Sequence, residues 1–225
     1  MLKPKEVRQI YASYADIYDR VFARFFESRV REALSNLKLS PGSKILEVGV
    51  GTGLSFAYYP RDCEVLAIDI CPEMLRHARR KKEAFGLDHI QVEEMDASNI
   101  QANSGQFDAV LAGFMLTVVE NPDHVLGELA RVCRIGGQIV SVNHFRSENR
   151  FIGWMEHSLD PICKRFGWRM DLRVSDLAIP PTLELRDTYK MSFYDLFRIL
   201  CFERIPAFPS LTHTPTPSPA TPSSV

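Results

Sequence analysis

The sequence predicts an α/β domain on a doubly wound, mostly parallel sheet. Three observations carry that prediction: an apolar run at Ser43–Leu46 that opens into a glycine-rich turn, an acid that closes the next apolar run at Asp69, and strand-like and helix-like segments that alternate as far as Val142. In such a sheet a ligand lies outside the C-terminal ends of the strands.

The first strand ends in Glu47-Val48-Gly49-Val50-Gly51-Thr52-Gly53-Leu54. Closely spaced glycines let backbone pass against a ligand, since glycine has no Cβ and tolerates positive φ. The acid distinguishes this loop from a phosphate cradle: Glu47 repels a pyrophosphate but accepts hydrogen bonds from a cationic amino group or sugar hydroxyls. The spacing is G-x-G-x-G, without the Lys-Ser/Thr ending of a P-loop. The expected ligand therefore carries an amino acid and a nucleoside, ahead of a dinucleotide or ATP.

The second strand, Glu64–Ile68, is closed by Asp69, at the place where a βαβ acid meets ribose hydroxyls. A helix follows from Pro72 to Phe85, with proline at its start and basic residues toward its end. His89–Glu93 is a third strand, leading into Met95-Asp96-Ala97, and Phe107–Ala112 is a fourth. The helix Pro122 to Cys133 separates it from a fifth at Gly136–Val142. Phe193 to Arg204 is expected to add a late edge or antiparallel strand.

These motifs resemble those of the class I S-adenosylmethionine-dependent methyltransferases over residues 40–145: LEVGVGTG, AID, MDA, FDAV and RIGGQIV occur in that order. The resemblance implies a Rossmann-like, seven-stranded sheet with N-terminal amphipathic helices, and S-adenosylmethionine as cofactor, with S-adenosylhomocysteine as its product. It implies that Gly49, Gly51 and Gly53, with Thr52, pass under the methionine moiety, that Glu47 sits near its amino end, that Asp69 holds the ribose, and that Asp96, next to Ala97, holds the adenine amino group. Ile70 and Met74 or Met95 either flank the adenine or pack in the core. The segments YASYADIYDRVF, LTVVENPDHVLGELARVCRIGG, VNHF and GWRMDL are similar to bacterial phospholipid N-methyltransferases, which convert phosphatidylethanolamine toward phosphatidylcholine. Quinone C-methyltransferases share the cofactor motifs and are the nearest alternative. A non-catalytic protein that binds the cofactor is another.

The 225 residues suffice for one sizeable core. No apolar stretch approaches the roughly 20 residues that span a bilayer, and the N-terminus lacks a signal-peptide pattern. Five cysteines without a CxxC pair indicate reduced thiols and no metal site, and a net charge of −1 gives no sign of a nucleic-acid partner. The expected location is the cytoplasm, peripheral on the inner face of the cytoplasmic membrane.

Three regions are expected. Residues 1–40 carry eight Lys or Arg against five acids, and Val7, Ile10, Tyr11, Tyr14, Ile17, Tyr18, Val21, Phe22, Phe25 and Phe26 recur at helical spacing. This segment either covers the sheet or faces anionic head groups with Lys3, Lys5, Arg8, Arg20, Arg24, Arg29 and Arg31; a mixture is expected, a lid on the cofactor that also touches the membrane. Residues 41–205 form the catalytic domain. Residues 206–225, rich in Pro, Ser and Thr, are expected to be disordered.

Methyl transfer to an amine needs a proton acceptor and close orientation of nitrogen against the methyl carbon. His144, at the end of the fifth strand, is the best placed of six histidines for catalysis or head-group contact, with a structural hydrogen bond as its alternative. Tyr14 and Tyr18 reach over the site from the N-terminal helix, as donors to the cofactor carboxylate and as ring faces for a methylated ammonium, or else as core residues. Arg146, Arg150 and Arg169 are candidates for the phosphodiester.

Overall fold

The computed structural model describes residues 3–147, 154, 158, 163, 167–192 and 195–207; side chains at 20–24 are also left aside. The expected tail at 206–225 and the candidate Arg150 therefore lie wholly or largely outside the described residues.

Seven strands form one sheet in the order β3-β2-β1-β4-β5-β7-β6. Strands β1 (Lys44–Val48), β2 (Glu64–Asp69), β3 (Ile90–Glu94), β4 (Phe107–Gly113) and β5 (Cys133–His144) run parallel. β1 and β4 are buried along nearly their whole length, because helices cover both faces of a parallel sheet. Helix α2 (Pro72–Ala84) starts at a proline and carries Lys81 and Lys82 in its last turn, which suits the macrodipole. Helix α3 (Pro122–Val132) is capped by Asn121, whose side chain accepts from the His124 N–H at 3.0 Å.

Beyond shifts of one or two residues at element ends, three features differ from the sequence reading. β5 begins at Cys133, not Gly136, and its pairing with β4 shifts register between Phe107 and Ala109. Glycines make this irregularity possible: Gly136 has φ 77°, and a Cβ on Gly137 would lie 2.6 Å from Cys133 Sγ. The late strand, β7 (Phe197–Arg204), is antiparallel but interior, lying between β5 and β6 (Leu183–Tyr189). The edge belongs to β6, whose LELRDTY sequence is exposed along most of its length. Finally, the N-terminal segment is a single helix, α1 (Pro4–Ser35).

Helix α1 has two environments. Phe26, Val30, Ala33 and Leu34 join the core on one face of the sheet, with Ile45, Val65 and Leu75. The other face is filled by Leu46, Val110, Leu126 and Leu129 beneath α3. Earlier in α1, Ala15 packs with Cys71 and Met74, and two ion pairs and a hydrogen bond fasten this half to the body: Arg8–Glu94 at 3.4 Å and Asp19–Lys81 at 3.0 Å, with Asp16 and His77 Nε2 2.9 Å apart.

Candidate functional site

A cavity of about 260 Å³ opens at the C-terminal ends of β1, β2 and β4. The turn after β1 forms its floor. Gly49, Gly51 and Gly53 all have positive φ, at 77°, 55° and 74°. Their reasons differ. A Cβ on Gly49 would come within 3.0 Å of Gly113 O, so this glycine permits close approach of the β1 and β4 ends, whereas Gly51 faces open space. Gly53 does not border the cavity; a Cβ there would collide with the Phe56 ring at 2.7 Å.

Glu47 is buried and borders the cavity, and its Oε2 accepts from Ser55 Oγ at 2.7 Å and Tyr59 Oη at 3.0 Å. Both donors take Oε2, which leaves Oε1 for a ligand. Burial raises the Glu47 carboxyl to about 7 despite those hydrogen bonds. Asp69 ties the site together: Oδ2 accepts from Gly51 N–H at 2.8 Å and Oδ1 from Cys71 N–H at 2.9 Å. Burial holds its carboxyl above the ordinary value. Asp96 accepts both the N–H and the hydroxyl of Ser98 on Oδ1, each at 2.8 Å.

Ile70, Met74, Met95 and Ala97 also border the cavity. For Met74 the two readings coincide, since it is 1% exposed and packs under α1 as well. Thr52 borders the cavity too, but its hydroxyl donates to Asp19 of α1. Tyr18 borders the cavity and stacks on Tyr14, which does not, with centroids 6.0 Å apart. Burial pushes both phenols up, so at neutral pH they donate hydrogen bonds and do not act as bases.

The described acceptor candidates lie elsewhere. His144 is buried at the end of β5, its ring edge-on to Phe197 at 6.1 Å, and does not border the cavity. Arg146 donates its N–H to Leu172 O at 2.8 Å, and Arg169 pairs with Asp171 at 2.9 Å; neither borders the cavity. Arg29, expected to face head groups, turns inward to Asp195 at 3.0 Å, between the rings of Phe25 and Phe197. Arg8 is likewise paired, with Glu94.

Sequence reasoning missed Ser55 and Tyr59 on Glu47, Asp19 on Thr52, and the wall residues Phe26, Phe114 and Val118. The first three are ordinary polar residues in sequence, and only the fold brings them to their partners. Phe26 carried a helical-spacing signal but no indication of facing a ligand.

The methyltransferase domain family matches residues 46–141. A phosphatidylethanolamine N-methyltransferase of Cereibacter sphaeroides is 37% identical over 199 residues, 88% of this chain and 97% of that protein. The chain belongs to the class I S-adenosylmethionine-dependent methyltransferases. A demethylmenaquinone methyltransferase of Thermobifida fusca is 30% identical over 72% of this chain and 73% of that one. Among solved structures, a geranyl diphosphate methyltransferase in complex with S-adenosylmethionine superposes with a TM-score of 0.63 at 15% identity, covering 85% of this chain and 90% of that one. S-adenosylmethionine is the methyltransferase's cofactor, and the cavity fits it: an acid with a spare oxygen, a glycine facing open space, two further acids, and apolar walls. Among the described residues no group of His, Cys, Asp or Glu could hold a metal ion.

Proposed function

We propose that this methyltransferase acts on the amine of phosphatidylethanolamine, and on its mono- and dimethylated forms, toward phosphatidylcholine. The observation that carries this reading is the 37% identity, over nearly the full length of both chains, to the Cereibacter sphaeroides phosphatidylethanolamine N-methyltransferase. The aromatic character of the cavity wall, with Tyr18, Phe26 and Phe114, supports an acceptor whose head is a cation.

Bound S-adenosylmethionine supplies a methyl carbon made electrophilic by its sulfonium. In this reading Glu47 Oε1 receives the cofactor's ammonium, Asp69 its ribose hydroxyls and Asp96 its adenine amino group, while Ile70 and Met95 flank the base. An ammonium beside Glu47 favours the carboxylate, so Glu47 serves as an ionised anchor. The head-group ammonium gives a proton to water and attacks as the neutral amine, S-adenosylhomocysteine leaving; the chain's contribution to rate is then orientation of that nitrogen against an apolar wall. Tyr18, held protonated by burial, donates to the cofactor carboxylate. His144 acts from behind Phe197 by supporting the wall. Arg169, paired with Asp171 at 2.9 Å and held by its backbone N–H on Thr117 O, lies outside the cavity lining, so contact of its guanidinium with the phosphodiester would need the lipid to reach beyond the cavity.

No helix among the described residues is long and apolar enough to cross a membrane. We place the enzyme on the cytoplasmic face of the membrane, meeting the bilayer through α1, where Lys3, Lys5 and Arg31 are exposed and Ile17 and Phe25 present apolar surface 49% and 42% exposed. C-methylation of a quinone is the second reading, favoured by the Thermobifida fusca relative. Steady-state turnover on phosphatidylethanolamine vesicles against a demethylated quinone separates the two. The lipid is expected to be the better acceptor; a quinone turned over faster, without anionic lipid, overturns the proposal.

A further inference from the structure

The wall of the cavity beside the glycine turn has a feature that the cofactor does not account for. Tyr18, Phe26 and Phe114 all border the cavity. Tyr18 and Phe26 lie within 10° of parallel at 6.2 Å, and Phe26 and Phe114 are 4.5 Å apart, inclined at 55°. Phe114 is the one non-glycine residue with positive φ, at 55°, among the described residues. An L side chain adopts that backbone at a cost, and such strain persists where the surrounding structure fixes it and gathers at functional sites.

The surroundings of Phe114 do fix it. Its N–H donates to Val142 O at 2.7 Å, and its ring meets Phe197 edge-on at 5.3 Å. Phe197 is backed in turn by the Arg29 guanidinium, 4.9 Å from its centroid and held by Asp195. Its neighbours Gly113 and Met115 are the groups that press against Gly49, so Phe114 stands at the junction of the β4 end and the cofactor turn. The polar ends of the cofactor are served by Glu47, Asp69 and Asp96, and none of these needs an aromatic ring at 114.

We propose, on the lipid N-methyltransferase reading above, that Phe114, with Tyr18 and Phe26, holds the acceptor ammonium by ring faces and sets the preference for partly methylated lipid. Each methyl group added removes an N–H donor from the nitrogen and makes the cation bulkier and more weakly hydrated. Recognition by hydrogen bonds weakens along that series, and recognition by aromatic faces strengthens. A wall of rings therefore selects the later intermediates and keeps them until loss of the nitrogen's proton to water frees its lone pair for the next transfer.

The test compares KM and kcat for phosphatidylethanolamine and its mono- and dimethylated forms in vesicles of one composition. The proteins are the wild type, Phe114→Leu, Phe114→Met and Phe114→Tyr. Leu and Met each keep an apolar side chain at the strained position and remove the ring, so either variant that folds gives the answer. The ratio of KM for dimethylated to unmethylated lipid should rise roughly three- to thirtyfold in the ringless variants and return toward the wild-type value in Phe114→Tyr, with S-adenosylhomocysteine affinity unchanged. A wild type active on all three lipids whose KM ratio survives loss of the ring overturns the assignment alone. A wild type that methylates none of them overturns the lipid reading and the assignment together.

Discussion

Glu47 brings together most of the chemistry that the glycine turn alone could not reveal. Its ordinary acidity is 4.5, and burial in the folded chain raises it to about 7. A carboxyl raised on folding stabilises the fold only while protonated, so the cofactor-free protein should lose stability as pH rises from about 4.5 to about 7, by up to a few kcal/mol. Glu47→Gln keeps an oxygen for Ser55 and Tyr59 and should flatten that part of the profile in urea unfolding from pH 4 to 8, while weakening S-adenosylhomocysteine binding. An unchanged slope would show that Glu47 is not the titrating group. The position of Glu47 was legible because a strand, an acid and glycines occur in one run; its raised acidity was not, because that depends on burial. His144 illustrates the converse. Its place at the end of β5 was legible, but its distance from the cavity was not, since that depends on Phe197, 53 residues later in the chain and its partner across β5 and β7. A support role predicts that His144→Ala lowers turnover by a similar factor at pH 7 and pH 9. A defect that shrinks at higher pH would mark His144 as the proton acceptor instead.

At the scale of elements, α1 joins the fold to the membrane reading. Its second half is core, and its first half is fastened to α2 and β3 by the ion pairs Arg8–Glu94 and Asp19–Lys81, which salt screens, and by the Asp16–His77 hydrogen bond. Flotation with liposomes should rise with anionic lipid and fall with added salt, and neutralising Lys3 and Lys5 together should weaken it. Binding indifferent to lipid charge and to salt would leave α1 as cover for the cavity only. The parallel strands were legible because their buried runs are continuous and bounded by glycine, proline and acids. β6 was not, because LELRDTY exposes most of its side chains and its alternation of Leu183 and Leu185 is broken by Asp187. Of the two readings of the late strand, edge or antiparallel, the second holds, and the first fails because β6 occupies the edge.

At the scale of the whole molecule, one sheet brings residues from the ends of β1, β2, β3 and β4 to a single cavity, and α1 closes it with aromatic rings. The turn and the acids that border this cavity, Glu47, Gly49, Gly51, Asp69 and Asp96, were legible in order along the chain, because glycines and acids at fixed strand ends have few alternative uses. The aromatic wall was not, because Phe26 and Phe114, which border the cavity, look in sequence like any other core residues. The central claim is transfer of a methyl group to the amine of a phospholipid. Its most direct measurement is incubation of the protein with S-adenosylmethionine carrying a ¹³C-methyl group and total bacterial lipid, followed by NMR of the separated products. The account predicts label on the head-group nitrogen of phosphatidylethanolamine and its methylated forms; label on a quinone ring carbon, or in no lipid at all, would contradict it.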